Sequence, residues 1–88
     1  MLEYHAAYYN IEDGWYMGVV LDFPGVVTQG KTLNAARRML RSALVDMALW
    51  YMEEGQSFPK PKARVRDRKA AVQEPIRLGA KATCGAAP

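Results

Sequence analysis

Two turn signals, Asp13-Gly14 and Pro24-Gly25, divide the first part of the chain into short segments with the side-chain pattern of β-strands. Glycine accepts a positive φ angle without a steric penalty, so both pairs favour a reversal of the chain. Residues 2–10 alternate between two faces, and residues 15–21 are rich in aromatic and β-branched side chains. Residues 26–28 form a third, shorter segment. The sequence therefore predicts an antiparallel three-stranded meander.

A single long helix is predicted to follow the meander. Thr32 is suited to the N-cap position, because its hydroxyl can accept a backbone N–H that has no partner inside the helix. Gly55 stands where a residue in the left-handed conformation commonly ends a helix. Between them, one apolar stripe recurs at helical spacing and can cover a sheet face. Its members are Leu33, Ala36, Leu40, Ala43, Leu44, Met47 and Tyr51.

The segment after the helix predicts a stiff exit and a fourth strand. Residues 58–61 contain two prolines, which cannot continue a helix, and residues 71–78 have a strand-like composition. Pro75 limits this strand to an edge position or a bulge, because proline has no N–H for the sheet ladder. We expect an α+β fold of order β-β-β-α-β over residues 1–78, followed by a flexible tail over residues 79–88.

The charge is unevenly distributed along the chain. The net charge of +3 combines an acidic part, residues 1–57, with a basic part, residues 58–88. Within the latter, residues 60–69 hold six lysines and arginines, and we call them the basic segment. Short charged runs usually face water. Two interpretations therefore remain, a solvated connection or a nucleic-acid contact made by an oligomeric protein.

The residue types of most catalytic and metal sites are missing from the pattern. His5 is the one histidine, Cys84 is the one cysteine, and neither belongs to a cluster with metal-ligand spacing. We interpret His5 as a surface residue of a strand. Asp22 and Asp13 lie at opposite ends of one predicted strand, so they do not converge on a two-metal site. We expect no cofactor, no metal and no catalytic residue.

Location and DNA binding are also constrained by the sequence. The longest apolar run, residues 15–21, is far shorter than the ~20 residues of a membrane helix. A single cysteine fits a reducing compartment, and we expect a cytoplasmic protein without membrane contact. Residues 58–88 have no helical stripe and three prolines before position 76, so a specific DNA-reading module is not expected.

The predicted helix has a second apolar set. Val45, Leu49 and Met52 lie roughly opposite the main stripe, at positions i, i+4 and i+7. Three apolar residues in register on a far face indicate a second burial surface, such as an interface between copies of the chain. The alternative is a few tolerated surface residues.

The spaced turn residues resemble a known family. Residues 12–16 and 22–33, followed by Ala36, are similar to the pattern of HicB-family antitoxins in their N-terminal domain: D-G-aromatic, then D-x-P-G-x-x-T-x-G-x-T-x-x-x-A. Residues 54–61 resemble the helix exit E-G-x-x-I-P-x-P of that family. The chain differs from the pattern at Asn34-Ala35, where the family usually has acids at the start of the helix.

The resemblance implies a partial ribonuclease-H-like fold without ribonuclease-H catalysis. It also implies a partner, a small basic toxin ribonuclease of the HicA type, whose active site the domain would occlude. We expect a short form without the DNA-binding half, assembled as a homodimer or homotetramer. The expected toxin contacts are Asp22, Phe23 and Pro24, and the expected oligomer interface is Val45, Leu49 and Met52.

Overall fold

The computed structural model describes residues 2–79, in which one helix covers one face of a four-stranded antiparallel sheet. The elements are β1 (Leu2–Asn10), β2 (Tyr16–Val20), β3 (Val27–Gly30), α1 (Leu33–Glu53) and β4 (Val72–Leu78). The strand order is β3-β2-β1-β4. The predicted α+β architecture is therefore confirmed. The predicted flexible tail lies outside the described residues from residue 80 onward.

The link between β1 and β2 is a 3-10 turn over Glu12–Gly14, where the turn was predicted. Asp13 takes a left-handed conformation with φ 62°. Asp is enriched in this region among non-glycine residues, because its short polar side chain can hydrogen-bond to the nearby backbone. The hairpin places Tyr8 opposite Gly18, and this register puts the side chains of Tyr4 and Tyr8 into the core.

Both predicted ends of α1 are confirmed. The Thr32 hydroxyl accepts the backbone N–H of Ala35 at 3.0 Å. At the other end, the N–H of Gly55 donates to the carbonyl of Met52 at 3.1 Å, and the next N–H donates to the carbonyl of Tyr51 at 2.9 Å. This is the hydrogen-bond pattern of a Schellman cap, with Gly55 at φ 69°.

The start of α1 lies directly against β3. A Cβ atom at Gly30 would be 2.4 Å from the backbone nitrogen of Ala36, closer than any side chain allows. Glycine at this position therefore lets the helix approach the short strand. Further along, α1 buries the side chains of Ala36, Leu40, Leu44 and Ala48 against the sheet. Ala48 was absent from the predicted stripe.

The fourth strand lies at the sheet edge, as Pro75 required. β4 pairs with β1 over seven residues, from Leu2 opposite Leu78 to Tyr8 opposite Val72. The chain between α1 and β4 is tied to the sheet rather than free. The Tyr4 hydroxyl donates to the carbonyl of Pro59 at 2.7 Å. This bond fixes the proline-containing exit beside the aromatic part of the core.

Candidate partner-binding site

The loop between β2 and β3 is held from beneath by Asp22, whose carboxylate is fully buried. The backbone N–H of His5 donates to Asp22 Oδ1 at 2.8 Å, and His5 Nδ1 lies 2.9 Å from Asp22 Oδ2. The N–H of Lys62 donates to the same Oδ2 at 3.1 Å. Burial alone would raise the pKa of Asp22, but these hydrogen bonds outweigh it and lower the pKa. The ionised Asp22 carboxylate therefore links the loop to β1 through His5 and to the basic segment through Lys62.

Phe23 anchors the same loop in the core. Its ring lies 5.1 Å from the rings of Tyr4 and Tyr51 and 6.2 Å from that of Phe58, measured between centroids. Such tilted and edge-on pairs stabilise aromatic clusters beyond the area they bury. Phe23 is fully buried and the following residue, Pro24, is exposed. The cluster therefore fixes the loop against β1, α1 and the exit.

The burial of these side chains bears on the predicted toxin contacts. Asp22 and Phe23 point into the protein, so a partner that docks on the folded surface does not reach their side chains. Pro24 is the one of the three that such a partner can contact directly. Asp22 and Phe23 would act by positioning the loop, and the contact role of Pro24 stays a prediction.

A surface groove lies beside this loop, against α1. It has a volume of about 540 Å³ and is lined by Gly25, Val26, Ala43, Asp46, Met47 and Trp50; we call it the Trp50 groove. Gly25 has φ 89°, and a Cβ atom there would lie 3.2 Å from Met47 Cε. The glycine therefore provides both the turn and the room for Met47. Trp50 is 49% exposed, which is high for so large an apolar side chain.

The members of the second apolar set of α1 differ in their exposure to solvent. Leu49 and Met52 are 41% and 58% exposed, whereas Val45 is partly buried and packs against the core. The interpretation of all three as one far face is therefore too simple, because Val45 also serves the helix–sheet contact. An interface at Leu49 and Met52 stays a prediction.

The interpretation of His5 as an ordinary surface residue is corrected by its bonds to Asp22. The two residues are 17 positions apart, and only the pairing of β1 with the end of β2 brings them together. Within residues 2–79, no group of three His, Cys, Asp or Glu side chains is placed to hold a metal ion. Cys84 lies outside the described residues.

The fold and the groove define a small α+β domain with an exposed, largely apolar groove on its surface. In the described residues, no helix is long and apolar enough to cross a membrane. The sequence signature of the UPF0150-like family matches residues 4–59, more than half of the chain, and the protein belongs to this family. Among curated proteins, none matches the chain in sequence.

Solved structures show the same fold. The crystal structure of the N-terminal domain of Burkholderia pseudomallei antitoxin HicB matches with a TM-score of 0.74 and 24% identity, over 89% of this chain and 99% of that one. The crystal structure of the B. pseudomallei antitoxin HicB also matches, with TM-score 0.74 and 24% identity, over 93% of this chain and 67% of that one. The resemblance read from the turn motifs is thereby confirmed for the fold.

Proposed function

We propose that this protein is a noncatalytic antitoxin-type domain that binds a small basic toxin ribonuclease of the HicA type and occludes its active site. Two observations support the proposal. The first is the fold shared with the N-terminal domain of antitoxin HicB. The second, which carries the mechanism, is the Trp50 groove, an exposed apolar surface beside a loop that Asp22 and Phe23 hold in place.

The groove has the residues of a protein contact. Tryptophan is enriched among the side chains that dominate binding energy, because it buries a large area with few rotatable bonds. Met47 adds an adaptable apolar wall. Asp46 is exposed on the rim, where its carboxylate can pair with a lysine or arginine of a partner. This combination suits a basic protein with one apolar side chain to insert.

The charge around the groove favours the same kind of partner. Glu53 and Glu54 are exposed at the end of α1, and the last turn of the helix has no basic residue. The C-terminus of a helix also carries a partial negative charge. The surface beyond Trp50 is therefore acidic, and complementary charge accelerates the association of a basic ribonuclease.

The deciding experiment uses the full chain and a small basic toxin ribonuclease of the HicA type. We expect a complex in co-expression and a loss of toxin-dependent RNA cleavage when the chain is present. Trp50→Ala should weaken binding about 30-fold or more, as expected for a residue worth at least ~2 kcal/mol at an interface. Val27→Thr is the matched control, because Val27 is 52% exposed on β3 and does not line the groove.

Three results would contradict the proposal. They are no complex with that protein, unchanged RNA cleavage in the presence of a bound chain, or equal loss of binding in Trp50→Ala and Val27→Thr. The second result would separate binding from occlusion, since a partner held away from its active site remains active.

We also propose that the chain self-associates through Leu49 and Met52. Both side chains are exposed, and burying apolar area stabilises by about 25 cal/mol per Å². The double variant Leu49→Glu with Met52→Glu should behave as a 9.8 kDa monomer in light scattering, whereas the parent chain should be a dimer or tetramer. Val45→Glu is unsuitable alone, since Val45 packs on the core. An unchanged mass would reject this interface.

The remaining expectations form part of the same proposal. The antitoxin domain spans residues 1–78 and acts in the cytoplasm, where its RNA-cleaving target would act. Under the same proposal, the β-β-β-α-β order is a partial ribonuclease-H-like fold that carries no catalytic site. Nuclease assays of the purified chain with Mg²⁺ should show no cleavage, and Mg²⁺-dependent cleavage by the pure chain would refute the noncatalytic role.

A further inference from the structure

The basic segment is anchored to the sheet instead of extending into solvent as a loose connection. The Tyr9 hydroxyl donates to Asp67 Oδ2 at 2.7 Å. The N–H of Asp67 donates to Gln73 Oε1 at 3.1 Å, and Gln73 Nε2 donates to the carbonyl of Val65 at 2.6 Å. Tyr9 of β1 and Gln73 of β4 thus hold the basic segment at Val65 and Asp67. Because the backbone of the segment is already ordered, the segment loses less conformational entropy when it binds a ligand.

The arginines of the segment occupy the positions between these anchors. Arg64, Arg66 and Arg68 are exposed, whereas Val65 and Asp67 are half-buried. None of the three arginines takes part in an ion pair within residues 2–79. Residues two apart lie at most about 7 Å from each other along the backbone. The three guanidinium groups can therefore reach neighbouring negative charges on one extended ligand.

These arginines border a cavity whose lining also includes residues of β1 and β4. Its volume is about 740 Å³, and its polar lining comprises His5, Gln73, Asp67 and the three arginines. The Asp67 carboxylate already accepts hydrogen bonds from the Tyr9 hydroxyl and the N–H of Lys69, and the three arginines outnumber it. His5 is oriented by the bond from Nδ1 to the buried Asp22, which leaves Nε2 for a ligand. The cavity and the Trp50 groove have no lining residue in common. The cavity is therefore a separate site. Its arginines belong to the basic part of the chain, whereas the proposed toxin contact lies in the acidic part.

The chemistry of the lining indicates which ligand it suits. Arginine presents a planar fork of donors that matches phosphate oxygens, and three of them surround this cavity. No Phe, Tyr or Trp ring lines it, so the stacking platform used to bind bases is missing from these walls. A ligand would be held through its phosphates and not through its bases.

We propose that this cavity binds the phosphodiester backbone of single-stranded nucleic acid, for which RNA is the probe, without sequence preference. The function is additional to the toxin contact and does not depend on it. It would let the domain hold RNA while the Trp50 groove holds a protein. The single-stranded form suits a concave site, because its backbone can bend to place successive phosphates on Arg64, Arg66 and Arg68.

The test measures fluorescence anisotropy of a labelled 12-nucleotide RNA with the full chain. For three phosphate contacts the affinity for single strands should fall about 20-fold between 50 and 200 mM salt, since the logarithmic slope is about −0.7 per contact. Changing the base sequence should alter the affinity less than about 3-fold, because no base contact is made.

Two charge-matched variants locate the site. Arg64→Gln with Arg66→Gln and Arg68→Gln should weaken RNA binding about 20-fold at 50 mM salt and remove most of the salt dependence. Lys31→Gln with Arg38→Gln and Arg41→Gln removes the same charge elsewhere and should keep affinity within about 2-fold. All six residues are exposed, and unchanged circular dichroism verifies the fold of both variants.

Four outcomes would overturn the proposal: no binding at 50 mM salt, equal loss in both triple variants, tighter binding of a labelled polyglutamate peptide, or full displacement of RNA by equimolar inorganic phosphate. The peptide result would assign the cavity to an acidic protein, and the phosphate result would assign it to a free anion. Trp50→Ala should leave RNA binding unchanged, so failure of this proposal is distinguishable from failure of the toxin contact.

Discussion

Replacing Asp22 with asparagine tests whether one buried carboxylate holds the β2–β3 loop. The side chain keeps its shape, but the amide has one acceptor oxygen in place of two. If that oxygen occupies the Oδ2 position, the N–H of His5 faces an NH₂ group. If it occupies the Oδ1 position, the N–H of Lys62 faces the NH₂ group instead. In either orientation at least one backbone donor loses its partner.

The size of the loss can be worked out from these bonds. A buried donor left without a partner costs about 1–3 kcal/mol, and a bond to a neutral acceptor is worth about 1 kcal/mol less than one to a charged acceptor. Together these terms give a decrease of about 3 kcal/mol in the free energy of unfolding. For a domain of this size, each kcal/mol lowers Tm by about 4–8 °C, so Asp22→Asn should melt about 12–24 °C lower.

The measurement is urea unfolding followed by the fluorescence of Trp15 and Trp50, with thermal melting as a second probe. Asp46→Asn is the control, because Asp46 is exposed and its replacement should change the free energy of unfolding by less than about 0.5 kcal/mol. A loss below about 0.5 kcal/mol in Asp22→Asn would refute the anchoring role of the carboxylate.

The same argument predicts a pH dependence. The hydrogen bonds lower the pKa of Asp22 in the folded state below its ordinary value of 3.8, so the unfolded chain takes up the proton first as the pH falls. The contribution to stability is present above about pH 3.8 and disappears as the pH falls through the folded pKa. The gap in unfolding free energy between the parent and Asp22→Asn should therefore narrow below pH 3.8; a constant gap down to pH 2 would contradict this.

Three further changes test other contacts of the fold. Gly30→Ala should cost more than about 3 kcal/mol in urea unfolding, because its Cβ would collide with the backbone nitrogen of Ala36; a near-neutral result would contradict that close approach. Tyr9→Phe removes the hydrogen bond to Asp67 and should cost about 1 kcal/mol, with faster amide exchange in the basic segment as the sign that its anchor is lost. In the parent, burial and the hydrogen bond to Asp67 raise the pKa of Tyr9 to about 12. The stabilisation by the neutral Tyr9 hydroxyl is therefore present below about pH 10 and is lost as the pH rises toward 12. Ultraviolet titration can follow the ionisation of Tyr9. Thr32→Ala should lower the free energy of unfolding by about 1 kcal/mol, whereas Thr32→Ser should retain most of it, and equal effects of the two would argue against the cap.

The elements of the fold could be read from local signals. Turn residues, alternation and helix caps act over a few neighbouring positions, and the predicted strands, turns and helix ends all match the structure to within one or two residues. The apolar stripe predicted for the helix omitted one buried residue, Ala48. Alanine is only weakly hydrophobic, so helical spacing did not identify it as a core residue. The partial burial of Val45 was also missed, because helical spacing alone does not show how wide the covered face is.

The candidate site could be located in the sequence but not interpreted there. The motif around Asp22, Phe23 and Pro24 marks the loop proposed as the toxin contact, and the family pattern includes this motif. Sequence spacing gave no means of separating the two anchoring side chains from the exposed proline. Helical spacing does not assign Trp50 to a surface, and only the position of the loop against α1 shows that it borders a groove.

The sequence by itself determined the β-β-β-α-β order, the caps of the helix, the edge position of the proline-containing strand and the division of charge along the chain. Each of these depends on interactions between residues close in sequence. The tertiary structure decided that Asp22 meets His5 and Lys62, which are 17 and 40 positions away, and that the basic segment is a fixed wall of a cavity. Such contacts form only when the sheet and helix pack together, because hydrogen bonds and burial depend on distances that no local pattern encodes.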